Sequence, residues 1–135
     1  MKKNLFIIMF VLVLVLFTGC GKKEETKSNE EELVKNLETL GKTFYEEYYF
    51  PYLASTEDFE KTIESLSNTG IKVDLENISR VDVVDQNLVE QMVNSKTKEK
   101  CNQQNSSVTI YPKSPYSKTD YEINTDLDCG FKKEN

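Results

Sequence analysis

Asp120-Tyr121-Glu122-Ile123-Asn124-Thr125-Asp126-Leu127-Asp128-Cys129 is the stretch whose reading decides the fold. Tyr121, Ile123, Thr125, Leu127 and Cys129 fall on odd positions, and acidic or amide residues fill every even one. A period of two sends alternate side chains to opposite faces, so the segment predicts a strand with one buried face and one wet, strongly acidic face. Upstream, Val108 and Ile110 start a second strand that Pro112 ends, and residues 112–118 supply the turn. The two segments predict an antiparallel hairpin centred near Pro115.

Further upstream the period lengthens. Ser28 and Glu31 are spaced as a capping box, and Leu33, Leu37, Leu40, Phe44 and Tyr48 recur at intervals of three and four. Pro51 disfavours a helical conformation at Phe50, so this helix is expected to end there. Ser55 and Asp58 suggest a second cap, Phe59, Ile63 and Leu66 a second apolar stripe, and Asn68-Thr69-Gly70 a stop with Gly70 left-handed. Ile71, Val73 and Leu75 then alternate with Lys72, Asp74 and Glu76 as a short strand, and Arg80 to Val84 is a further strand candidate. Asp85 is placed to cap a short helix carrying Leu88, Val89, Met92 and Val93, while residues 94–107 read as polar and irregular. The class expected is α+β: N-terminal helices packed on a small antiparallel sheet that ends in a stapled hairpin.

Residues 1–20 have a different composition. Lys2 and Lys3 are followed by an unbroken apolar run, Leu5 to Phe17, and then by Thr18, Gly19 and Cys20. As a helix the thirteen-residue run spans about 20 Å, short of a ~30 Å hydrocarbon core, which fits an export signal better than a permanent span. The segment Leu16-Phe17-Thr18-Gly19-Cys20 resembles the lipobox of bacterial membrane lipoproteins, with Phe17 standing where that family usually has Leu. The resemblance covers residues 1 to about 25. It implies cleavage after Gly19, a diacylglyceryl group on the Cys20 sulfur, and a chain held to the membrane by lipid. An uncleaved signal anchor is the alternative. The organisation expected is a signal peptide over 1–19, a lipidated cysteine and polar tether over 20–29, and a single extracytoplasmic domain over 30–135. Fully extended, the nine tether residues from Gly21 reach about 30 Å.

The chain has three cysteines, an awkward number outside the cytoplasm. If Cys20 carries lipid, Cys101 and Cys129 remain for one disulfide, with two buried reduced thiols as the alternative. A hairpin centred on Pro115 that faces Cys101 with Cys129 also faces inward Val108 with outward Glu122. The two parities conflict, so an irregular residue is expected within 102–106.

Over 135 residues the formal charge is -6, and removal of Lys2 and Lys3 takes it to -8. Nucleic-acid binding draws on Lys and Arg, so no nucleic-acid partner is expected. With no histidine in the chain, imidazole catalysis and His-based zinc sites are excluded. No serine stands in a nucleophile-elbow or Ser-x-x-Lys context, so no catalytic residue, metal site or cofactor is assigned. Among the six aromatics in residues 44–52, Phe44, Tyr48 and Phe50 are expected in the core, leaving Tyr45, Tyr49 and Tyr52 as an exposed binding patch. The carboxylates Asp120, Glu122, Asp126 and Asp128 are a solvated face, or a weak calcium candidate. The functional expectation is a non-catalytic, lipid-anchored envelope protein that contacts an envelope protein or cell-wall component. A calcium- or ligand-binding module is the alternative, with an envelope hydrolase third.

Overall fold

A computed structural model describes residues 21–132 of the chain. Helix α1, Gly21–Thr43, runs into a π-helical segment, Phe44–Tyr49, and on into α2, Phe50–Ala54. Next come α3, Phe59–Thr69; strand β1, Ile71–Asp74; two short helices, α4, Leu75–Ser79, and α5, Gln86–Glu90; and strands β2, Ser107–Pro112, and β3, Tyr121–Asp126. The strands form one antiparallel sheet in the order β1-β2-β3. The fold is α+β, as the periodicities predict.

The register builds the buried face. Ile71 pairs with Ile110 and Ile110 with Ile123, while Val73 pairs with Val108 and Val108 with Thr125. These residues therefore share one side of the sheet, and α1 lies across it. Gly41 marks the crossing: a Cβ there would stand 2.8 Å from both methyls of Val108 and 3.1 Å from Ile123 Cδ1. Leu33, Leu37 and Leu40 on α1 and Phe44 at the start of the π-helical segment meet Leu75, Ile78, Val84 and Met92 from the connecting segments in one core.

Five local expectations need correction. Helix α1 already covers Gly21, the first described residue, so Ser28 lies inside it and caps nothing; Lys and Glu are good helix formers, and no breaker interrupts residues 22–40. The polar tether residues from Gly21 are thus helical, rising about 1.5 Å per residue, well short of their fully extended reach. The helix also continues through Pro51. Here the Phe50 N–H donates to the Tyr45 carbonyl, five residues back, and the wide turn removes the i−4 carbonyl clash that proline otherwise makes. Asp58 rather than Ser55 is the N-cap of α3, and the Ser55 hydroxyl instead donates to the Tyr52 carbonyl at 2.6 Å. Leu75 does not extend β1, because Asp74 Oδ1 accepts from the Asn77 N–H at 2.8 Å and starts α4. Residues 80–84 are turns joined by Val81 N–H to Ile78 and Val84 N–H to Val81 bonds, with no strand. The other two boundaries stand where expected: Gly70 ends α3 at φ 76°, and Asp85 caps α5 by accepting from the Asn87 N–H.

The hairpin settles the parity conflict. Its register centres between Tyr116 and Ser117 rather than on Pro115, which puts Val108 opposite Thr125. Continued beyond the strands, that register brings residue 104 opposite Cys129, yet Cys101 is the bonded partner. The three surplus residues are absorbed in the turn 102–106. There Ser106 N–H donates to the Asn102 carbonyl at 2.9 Å, and Asn102 Oδ1 accepts from the Gln104 and Asn105 N–H groups, both at 3.0 Å. Asn102 N–H then resumes pairing with the Asp128 carbonyl at 2.7 Å.

Candidate functional site

Cys20 and the whole expected signal segment lie outside the described residues. Cys101 and Cys129 form the expected disulfide and are themselves nearly buried. No helix among the described residues is long and apolar enough to cross a membrane.

The aromatic patch is rearranged. Tyr45 is fully buried, with its ring edge-on to Tyr121 at 5.1 Å and to Phe50 at 5.8 Å, so it cannot belong to an exposed surface. Tyr49 is half-buried against the core, and Tyr52, 68% exposed, is the one member placed as expected. Tyr48, assigned to the core from its spacing, is 51% exposed. The cause is the π-helical segment. A turn of 3.6 residues after Phe44 points Tyr48 inward, but a wider turn delays the inward position to Tyr49. The exposed rings are therefore Tyr48 and Tyr52. Pro51 was the available signal, since a helix that runs through a proline must rearrange its backbone hydrogen bonds.

Charge around these rings is already engaged. Glu46 accepts from the Tyr121 hydroxyl, and Glu47 pairs with Lys118 Nζ at 3.0 Å. Burial, followed by the Glu46 hydrogen bond and charge, raises the Tyr121 hydroxyl well above the ordinary tyrosine range. Burial, and secondarily Tyr49, pushes Tyr45 up to about 12. Both hydroxyls stay protonated at neutral pH. What this end offers is two aromatic faces for stacking against an apolar or sugar surface.

The four carboxylates of the last strand do not gather at one site. Ser117, through its side chain and its backbone N–H, holds Asp120 below the usual carboxylate range. Glu122 pairs with Lys113 at 3.2 Å, and Asp128 Oδ2 accepts from Asn105 Nδ2 at 2.8 Å. Among the described residues no group of three acidic or cysteine side chains is arranged to hold a metal ion. A cleft of about 280 Å³ lies between Glu30 on α1 and the segment from Asp126 to Lys132. It brings Asp126, Asp128 and Lys132 together, so its polar lining is of mixed sign.

Set against known proteins, the chain matches no family model, no curated protein and no solved structure.

Proposed function

We propose that the chain is a non-catalytic, lipid-anchored protein of the cell envelope, held outside the cytoplasmic membrane through Cys20 and contacting another envelope component. The observation that carries this reading is the lipobox-like Leu16-Phe17-Thr18-Gly19-Cys20 at the end of a thirteen-residue apolar run. The disulfide supports it in two ways. A cross-link of this kind persists in an oxidising compartment, and pairing Cys101 with Cys129 leaves Cys20 as the unpaired thiol. Two acyl chains on that sulfur give stable attachment where one gives only reversible binding.

The arrangement of the chain suits a surface module. β3 runs antiparallel to α1, since Tyr121 reaches Glu46 while the segment after Asp126 lies by Glu30. The hairpin turn, Tyr48 and Tyr52 thus stand at the end away from Gly21, where a partner in the envelope is met. Metabolic labelling with a palmitate analogue tests the anchor: wild type takes up label and Cys20→Ser does not. Equal labelling of the two overturns the reading. A rise in melting temperature on calcium titration would favour the carboxylate-face module instead.

A further inference from the structure

We infer that the loop carrying Lys96, Lys98 and Lys100 is a docking surface for anionic lipid headgroups, at the end of the molecule where the anchor attaches. This rests on the lipid-anchored reading for its geometry.

The loop is built rather than slack. Asn94, 2% exposed, holds its base: Oδ1 accepts from the Lys96 N–H at 3.0 Å and the Thr97 N–H at 3.2 Å, and Nδ2 donates to the Cys129 carbonyl at 2.7 Å. Lys98 N–H donates to the Asn94 carbonyl at 2.8 Å, and Lys98 takes a left-handed φ of 62° at the tip. A bridge between Val93 and Lys100 closes the neck. All three lysine side chains are exposed, with Glu99 the lone carboxylate among them. None of the three has an ion-pair partner among the described residues, whereas Lys113 and Lys118 at the other end are paired with Glu122 and Glu47. The loop carries three lysines against one carboxylate, so it is a local positive patch on a chain of charge -6 and is complementary to an anionic surface.

Position selects the partner. Ser95 N–H donates to Asn29 Oδ1 at 2.8 Å, which ties the loop to the first part of α1. Lys27, exposed, lies two residues before that tie, and Lys132, also exposed, shares the neighbouring cleft with Glu30. From Asn29 to Gly21 the helix climbs about 12 Å, and the next residue is Cys20. The loop's tie at Asn29 therefore stands about 12 Å along the helix from the attachment point, comparable with the ~8 Å Debye length over which headgroup phosphates act on lysine heads that reach toward them. With attachment already supplied by the acyl chains, such a basic loop adds orientation by drawing this end of the globule toward the headgroups.

The full chain, purified in detergent, is reconstituted into vesicles of phosphatidylcholine alone or with added phosphatidylglycerol. It is then reacted with a water-soluble amine-reactive ester, and Cys20 acylation is read by mass in the same digest. Lys96, Lys98 and Lys100 are expected to react more slowly in the anionic vesicles, on the order of fivefold, with the difference abolished by high salt. Lys113 and Lys118 keep one rate. Equal rates at the loop in both vesicles overturn the inference while leaving an acylated Cys20 intact. If Cys20 carries no acyl group, the anchor reading fails, and the loop is then judged by salt-sensitive retention on anionic vesicles. Retention lost in K96Q/K98Q/K100Q supports the inference, and equal retention of that variant overturns it. The three side chains are exposed, so an unchanged melting temperature shows that the variant folds.

Discussion

Tyr45 carries the one buried side-chain polar atom left without a hydrogen-bond partner among the described residues. Its ring packs well, but its hydroxyl gave up water and gained nothing in return. Tyr45→Phe is therefore expected to keep the packing and raise stability by about 1 kcal/mol, read by denaturant unfolding at neutral pH. A loss instead would mean that the hydroxyl is bonded. The same burial sets an alkaline limit. With the folded tyrosine raised from 10 to about 12, its contribution is complete below pH 10 and is lost as pH climbs through that interval, because the unfolded chain releases the proton first. The wild-type protein should weaken between pH 10 and about 12 more steeply than Tyr45→Phe. Gly41 poses the opposite problem, a missing atom that must stay missing. Alanine gains about 1 kcal/mol of helix propensity, yet its Cβ would press on Val108 and Ile123 inside the core. Gly41→Ala is expected to destabilise by about 1 to 2 kcal/mol net, visible as a lower melting temperature.

Elements whose ends are written in local chemistry were legible in the sequence; those set by tertiary contacts were not. Gly70 and Asp85 mark boundaries because left-handed φ and side-chain capping are properties of those residues. Ser28 and Ser55 have the right neighbours for a cap, but nothing local says that a helix already runs through Ser28 or that Ser55 closes the end of α2. The π-helical segment escaped for a deeper reason. Periodicity counts residues per turn and has no access to the turn width, so one wide turn after Phe44 moved Tyr48 to the surface, while Tyr45, four residues beyond Gly41, lies on the sheet-facing side by ordinary α-helical spacing. The hairpin shows both sides. Alternation along residues 121–126 is plain in sequence and present in the structure, and the clash of parities located an irregularity in residues 102–106 before its form was known. Capping gives a direct comparison at this scale. Asp74→Ala removes a side-chain bond to Asn77 and should cost about 1 kcal/mol, whereas Asp58→Ala, which removes no such bond, should fall well below that in the same unfolding measurement.

For the molecule as a whole, the sheet is small, and the cross-link between Cys101 and Cys129 supplements its core. Closing a loop of about 29 residues restricts the unfolded chain and stabilises the fold by roughly 3.5 kcal/mol. The double variant Cys101→Ser with Cys129→Ser should therefore unfold at a markedly lower denaturant concentration. An unchanged midpoint would show that the helices and sheet suffice without the bond. The fold class was readable because a period near 3.6 dominates up to Thr69 and a period of 2 marks strands in the residues that follow. The candidate surfaces were less so: the lysines at 96, 98 and 100 look like an ordinary polar stretch until Asn94 and Asn29 are seen to hold them beside the first turns of α1. Sequence spacing cannot report a contact between residues 29 and 95.

The exposed turn at Lys113 and Lys118 lies between the two bonded sulfurs along the chain. A trypsin-like cut there severs the polypeptide without releasing either piece. On a gel the nicked protein should migrate as one band until a reductant is added and as two afterwards, so a clipped molecule keeps its two pieces together.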